Sequence, residues 1–238
     1  MKKSLFVLLA VLVLFAFPAF AQGGKESTSP KIGFIGPMTG DNANYGVLSN
    51  NSAILAVEQF NAKGGIDGKI PVVLVTEDSE GVPEKGLAAI EKLSSSDKIV
   101  GLVGPIFTGV SFAVGERVQN EGIVMISPSA THADITNIGD YVFRTVVSDG
   151  LQGEVAGTYF AQVLGYKNIG VLYAKNDYSQ GLYEGMSASF TANGGKITIV
   201  ESFNVGDKDL KTQLTKIRSA NPQAIYIPNY TAEMAQIL

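Results

Sequence analysis

Two stretches of the chain place hydroxyl groups just where an apolar run stops. Ile99-Val-Gly-Leu-Val-Gly-Pro-Ile-Phe-Thr108 reads as a buried strand, a Gly-Pro turn and a threonine. It runs into a helix whose apolar residues Val110, Ala113, Val114 and Val118 recur at helical spacing. Ile123-Val-Met-Ile-Ser-Pro-Ser-Ala-Thr131 has the same outline: apolar strand, proline, small hydroxyl residues. Hydroxyls and free backbone N–H groups beyond strand ends, at the start of a helix, suit a small anion such as a carboxylate. No group able to attack a bond accompanies them. The chemistry on offer is holding, not cleaving.

Enzyme signatures fail one by one. Gly33-Phe-Ile-Gly36 has the wrong glycine spacing for a dinucleotide fingerprint, and no Gly-Lys pair has the earlier glycine of a phosphate-binding loop. Gly109-Val-Ser-Phe-Ala113 misses the nucleophile elbow by its last residue. Ser95-Ser-Asp-Lys98 fits S-x-x-K but has no companion motif and reads as a solvated helix end. His132 is the single histidine and there is no cysteine, so neither a zinc site nor a cofactor is expected. His132 could edge a cleft, but reads more simply as a surface side chain. Glu77-Asp-Ser-Glu80 reads as a solvated loop before a helix rather than as a metal site.

Strand-like and helical runs alternate along the chain. Strands are expected at 31–36, 70–76, 99–103, 123–126, 141–144, 168–173, 196–200 and 224–228. Between most of them lie amphipathic helices. One over 46–63 carries Val47, Ile54, Val57 and Phe60 and stops at Gly64-Gly65; another has Pro83 in its first turn. The expected class is α/β, with mostly parallel sheets covered on both faces. The rhythm lapses between Ser127 and Asp149, where no helix is expected, and restarts at Leu151. Two doubly wound lobes are therefore expected, 31–145 and 146–238, joined by a hinge near 143–150. The second lobe, with about three strands, is thin, so the chain is expected to be a fragment.

Ligands of doubly wound sheets sit outside the carboxyl ends of the strands. By that rule Tyr45 follows the first strand, and Phe107 and Thr108 follow the third. Ser129, Ala130 and Thr131 follow the fourth, Tyr178 follows 168–173, and Tyr230 follows 224–228. A tyrosine at any one strand end could be ordinary packing. Side chains of this kind at five strand ends mark a binding cleft.

The first residues address the chain. Met1-Lys2-Lys3, thirteen apolar residues from Leu5 to Phe17, and Ala19-Phe-Ala21 together read as a signal peptide, residues 1–21, cleaved after Ala21. The run is too short for the ~20 residues of a membrane span. Residues 22–30 read as a flexible leader. Cleavage would remove Lys2 and Lys3 and move the net charge from −4 to −6. That excess of acid argues against nucleic acid or anionic lipid as a partner.

The chain resembles the amino-acid-binding proteins of branched-chain amino acid ABC transporters, within the type I periplasmic binding proteins. The residues that carry the resemblance are Ile32-Gly-Phe-Ile-Gly-Pro-Met-Thr-Gly40, Phe60-Asn-Ala-Lys-Gly-Gly-Ile66, Gly104-Pro105, Gly122 to Thr131, Phe143-Arg144, Asp177 to Gly181 and Tyr230 to Leu238. The resemblance implies two lobes closing on a free amino acid, a monomer in the periplasm, and a membrane permease as partner. It implies that Thr108 and Thr131 hold the ligand carboxylate and that the Ser129 carbonyl accepts from the ammonium. Tyr45, Phe107, Tyr178 and Tyr230 would surround the side chain. It further implies that residues past 238 supply an acid for the ammonium. A ligand-sensing receptor domain shares the fold and is the alternative; a secreted α/β enzyme is a poorer one.

Overall fold

The computed structural model describes residues 29–237. The signal peptide and nearly all of the leader lie outside the described residues. Eight strands and seven α-helices alternate: β1 Lys31–Gly36, α1 Ala43–Ala62, β2 Val73–Asp78, α2 Pro83–Lys92, β3 Gly101–Val103, α3 Thr108–Glu121, β4 Val124–Ser127 and β5 Val142–Arg144. After them come α4 Asp149–Thr158, β6 Asn168–Ala174, α5 Asp177–Ala192, β7 Lys196–Phe203, α6 Lys211–Ala220, β8 Ala224–Tyr226 and α7 Thr231–Ile237. Single π turns extend α2 and α4, and a 3-10 turn, Ala133–Asn137, occupies the stretch expected to hold no helix.

The strands form two separate sheets, in the orders β2-β1-β3-β4-β5 and β7-β6-β8, and every pairing is parallel. In each sheet the chain enters at an inner strand, β1 in the first and β6 in the second. The chain steps outward from β1 to β2 and then reverses to β3; it steps from β6 to β7 and then reverses to β8. Each reversal leaves a crevice at the carboxyl ends of the two strands beside it, between β1 and β3 and between β6 and β8. These crevices belong to residues 36–45, 103–108, 174–178 and 226–230.

Alternation along β6 shows how the second sheet is covered. Val171 packs with Met186 and Phe190 of α5, whereas its neighbour Leu172 packs with Phe203 and with Ile217 of α6. Successive side chains point to opposite faces, so one helix lies on each. The first sheet buries Ile35, Leu102, Met125 and Val142 against α2 and α3.

Several boundaries differ from expectation. β2 starts at Val73, opposite Lys31, and runs on through Glu77 and Asp78, which pair with Ile35 and Gly36. The acidic stretch is thus partly strand, because its neighbour offers partners to its backbone. Along α1 the apolar residues Val47, Ile54 and Phe60 are exposed rather than packed. Leu151, Val155, Tyr159 and Val163 form a similar outward row on α4 and its extension. No described element covers either row.

Candidate functional site

One hydroxyl organises both loops of the first sheet's cleft edge. Ser127, fully buried, donates to the Pro105 carbonyl at 2.6 Å and accepts from the Ala130 N–H at 2.9 Å. Ser111 donates to the same carbonyl at 3.2 Å. The turn after β4 is thereby tied to the turn after β3, and Ser127 works as scaffold. Ala130 is buried with it, while Ser129 and Thr131 are half-buried.

Thr108 is the first residue of α3, so its N–H is among those with no partner inside the helix. Its side chain is 1% exposed, yet its Oγ1 has no hydrogen-bond partner, and the Thr131 Oγ1 is likewise buried and unpartnered. Buried polar groups are normally satisfied, and a hydroxyl left unmatched costs about 1–3 kcal/mol. Two such hydroxyls at one cleft are what an incoming polar group would satisfy.

The four aromatic residues meet one another. Phe107 and Tyr230 have ring centroids 4.4 Å apart, and Tyr178 stacks on Tyr230 at 4.6 Å. Tyr45 meets Phe107 and Tyr230 edge-on at 5.5 and 5.9 Å. The Tyr45 and Thr231 hydroxyls share a 2.7 Å hydrogen bond, which ties α1 to α7 across the cleft. Burial pushes the Tyr230 hydroxyl well above its usual pKa, with Tyr178 adding to the rise and the Thr108 N–H opposing it. Burial, with smaller contributions from Asp149 and Tyr45, raises Tyr178 too. Both therefore remain neutral hydrogen-bonding groups at ordinary pH.

Asp149 escaped the sequence reading. It opens α4, where a carboxylate at a helix start is expected for capping and draws no notice. In the fold it is 1% exposed, with its Oδ2 unpartnered. Its N–H donates to the Thr131 carbonyl at 2.8 Å, and the Arg144 guanidinium donates to the same carbonyl at 3.2 Å. Burial raises the Asp149 pKa; the Thr131 hydroxyl, His132 and Arg144 pull the other way. An acid buried beside an unpartnered threonine hydroxyl is a ready partner for a cation. The only cue in the sequence was an Asp at the point where the helical rhythm restarts.

His132 is not a free surface side chain. Its Nδ1 accepts from the Asp134 N–H at 3.2 Å, and its ring packs edge-on against Phe112. A β-carbon on Gly181 of α5 would come within 2.8 Å of its Cδ2, so any larger residue there would have to displace the ring. Gly109 makes the corresponding approach from α3: a β-carbon there would lie 3.1 Å from the Asp177 Oδ2. The starts of α3 and α5 face one another across the cleft.

The acidic stretch has a structural role. Asp78 accepts from the Met38 and Glu80 N–H groups at 2.8 and 2.7 Å and from the Thr39 hydroxyl at 2.5 Å. Burial alone would raise its pKa, but these donors outweigh it and hold the carboxyl below its usual range. Among the described residues no group of histidines and acids could hold a metal ion. None of the described helices is long and apolar enough to cross a membrane.

Two parallel α/β sheets with facing crevices, lined by hydroxyls on one side and rings on the other, define a two-lobed solute-binding protein. The chain belongs to the periplasmic binding protein family, whose model matches residues 29–238. It is 31% identical, over its whole length and 64% of the relative's, to the leucine-, isoleucine-, valine-, threonine- and alanine-binding protein of Pseudomonas aeruginosa. It is 36% identical to Leu/Ile/Val-binding protein homolog 3 of Brucella melitensis, over 85% of this chain and 55% of that one. The chain thus spans between 55% and 64% of the length of these relatives. Among solved structures it is similar to the Streptococcus pneumoniae branched-chain amino acid transporter substrate-binding protein LivJ, in complex with isoleucine. There the TM-score is 0.79 at 33% identity, covering 88% of this chain and 59% of that one. The leucine-binding protein LivK of Thermotoga maritima matches with a TM-score of 0.79 at 28% identity, over 87% and 58%. The family is one of solute-binding proteins, not enzymes.

Proposed function

We propose that this protein captures a free α-amino acid outside the cytoplasm and delivers it to the permease of an ABC transporter. A branched-chain or other aliphatic side chain is the best fit. The observation that carries this reading is the pair of buried, unpartnered hydroxyls, Thr108 and Thr131, beside the buried acid Asp149. The hydroxyls and the first N–H groups of α3 suit a carboxylate, and Asp149 with the Ser129 carbonyl suits an ammonium. The rings of Tyr45, Phe107, Tyr178 and Tyr230 suit an apolar side chain. The names of the Pseudomonas and Brucella relatives agree with this assignment. The segment near 143–150, spanning the end of β5 and the start of α4, is the proposed hinge between lobes at 31–145 and 146–238; short segments of this kind absorb the rotation of closing lobes.

The test is calorimetry of the full-length protein with L-leucine, L-isoleucine, L-valine and L-alanine, beside L-glutamate and benzoate. Binding of the aliphatic amino acids alone is expected. Capture of benzoate with no amino acid bound would overturn the reading. Delivery is tested separately, by uptake of labelled leucine in cells with and without the gene.

A further inference from the structure

A cavity of about 470 Å³ lies beside the aromatic cluster, bounded by Asn42, Gly81 to Pro83 and Phe107 of the first sheet's lobe and by Lys175 to Asp177, Tyr230 and Glu233 of the second's. That volume suits a small ligand or part of one. Phe107 and Tyr230 line it, so this ring pair is the wall it shares with the amino-acid site.

The polar groups on it are unevenly matched. The Glu80 charge is answered by Lys85, and Lys175 and Asp177 are both exposed to water. Glu233 is different. It is 4% exposed, its Oε2 has no partner, and no ion pair reaches it among the described residues. The Asn42 Oδ1 and Asn176 Nδ2 are also buried without partners. Burial raises the Glu233 pKa, its own N–H opposes the rise, Asp41 adds to it, and Lys208 works against it. Two acceptors and one donor call for a group rich in N–H donors, and the buried acid calls for positive charge. Val82, Pro83 and Val205 add apolar wall, along which a methylene stem could lie. Tyr230 and Glu233 are three residues apart, about 5 Å along the chain at helical rise. An aliphatic stem of three or four carbons covers that distance.

We infer that the side-chain subsite extends past the Phe107–Tyr230 wall into this cavity and takes the distal cationic group of a long basic amino acid, an ammonium or a guanidinium, with Glu233 as its counter-charge. The inference rests on the proposed amino-acid site and names a further substrate class for it. Glu233 would be a specificity residue, discriminating among side chains without touching the carboxylate or the α-ammonium.

The experiment is titration of the full-length protein with L-lysine, L-norleucine and L-leucine, in the wild type and in Glu233→Gln. Norleucine has lysine's stem without its charge. Lysine is expected to bind at least about tenfold more tightly than norleucine, the scale of a charge-assisted hydrogen bond. Glu233→Gln should bring the two to within about threefold and leave leucine unchanged within about twofold. Val205→Phe, at an exposed position on the cavity wall, should weaken lysine selectively if Glu233→Gln does not fold. Norleucine equal to or tighter than lysine in the wild type would overturn the inference, as would equal weakening of all three ligands by Glu233→Gln. Leucine binding without lysine binding would remove this inference alone. Silence with every amino acid would remove the proposed function and this inference with it.

Discussion

Asp149→Asn separates the roles assigned to the cleft. The substitution keeps size and shape and removes one buried negative charge. In the free protein that charge is disfavoured, because burial raises the carboxyl's pKa and the Oδ2 has no partner. A folded pKa above the unfolded one means that the ionised carboxylate opposes folding above the unfolded value, near 3.8. The penalty is largest above the folded pKa and fades as pH falls through it. Asparagine should therefore leave the free protein as stable or slightly more so at pH 7. A gain of about 1 kcal/mol would raise Tm by roughly 2–4 °C. Binding should move the other way. Truncating one partner of a buried charge pair costs about 2–5 kcal/mol, or roughly thirty- to several-thousand-fold in Kd. The remaining Ser129 carbonyl places the expectation at the lower end. The assay is calorimetry with L-leucine and with 4-methylpentanoate, which lacks the α-ammonium. Leucine should weaken at least about thirtyfold in the variant, while 4-methylpentanoate, weak in both proteins, should change by less than about threefold. If the two ligands weaken by the same factor, Asp149 acts through the shape of the hinge and the ammonium assignment is wrong.

The remaining expectations follow from the same geometry. Thr131→Val should weaken every amino acid by a similar factor, about tenfold, because the hydroxyl addresses a group common to all of them; a reordered preference among Ala, Val, Leu and Ile would refute that role. Phe107→Ala should instead favour larger aliphatic ligands over smaller ones and lower stability by about 3–5 kcal/mol, since the ring is 7% exposed. Asp78→Ala should cost about 1–3 kcal/mol by freeing the 38–39 turn. Because its folded pKa is lowered, the Asp78 contribution is present above the unfolded value, near 3.8, and is lost as pH falls through the folded one. Denaturant titrations of wild type and Asp78→Ala should converge in strong acid, and a constant gap would refute the assignment. N-terminal sequencing of exported protein should begin at Gln22; product retaining Lys2-Lys3 in the membrane fraction would rule cleavage out.

Much of this protein is legible as pattern. Apolar periodicity marks all eight strands to within about three residues at either end and places the seven α-helices, though not the 3-10 turn at 133–137, because burial and local backbone geometry act over a few neighbours at a time. The small-residue turns after β3 and β4 advertise Thr108 and Thr131, and the rule that ligands gather at strand carboxyl ends gathers Tyr45, Phe107, Tyr178 and Tyr230 as candidates. What spacing could not carry is anything set by two segments distant in the chain. Whether the α1 apolar residues are covered depends on which elements reach them. Ser127 reads like any cleft hydroxyl until Pro105 is seen 2.6 Å away. Asp149 reads as an ordinary helix cap until Thr131 and Arg144 close around it, and Glu233 as a solvated helix acid until the cavity wall buries it. Burial of a charge is a property of the surroundings, and for these residues the surroundings are assembled only when the chain folds.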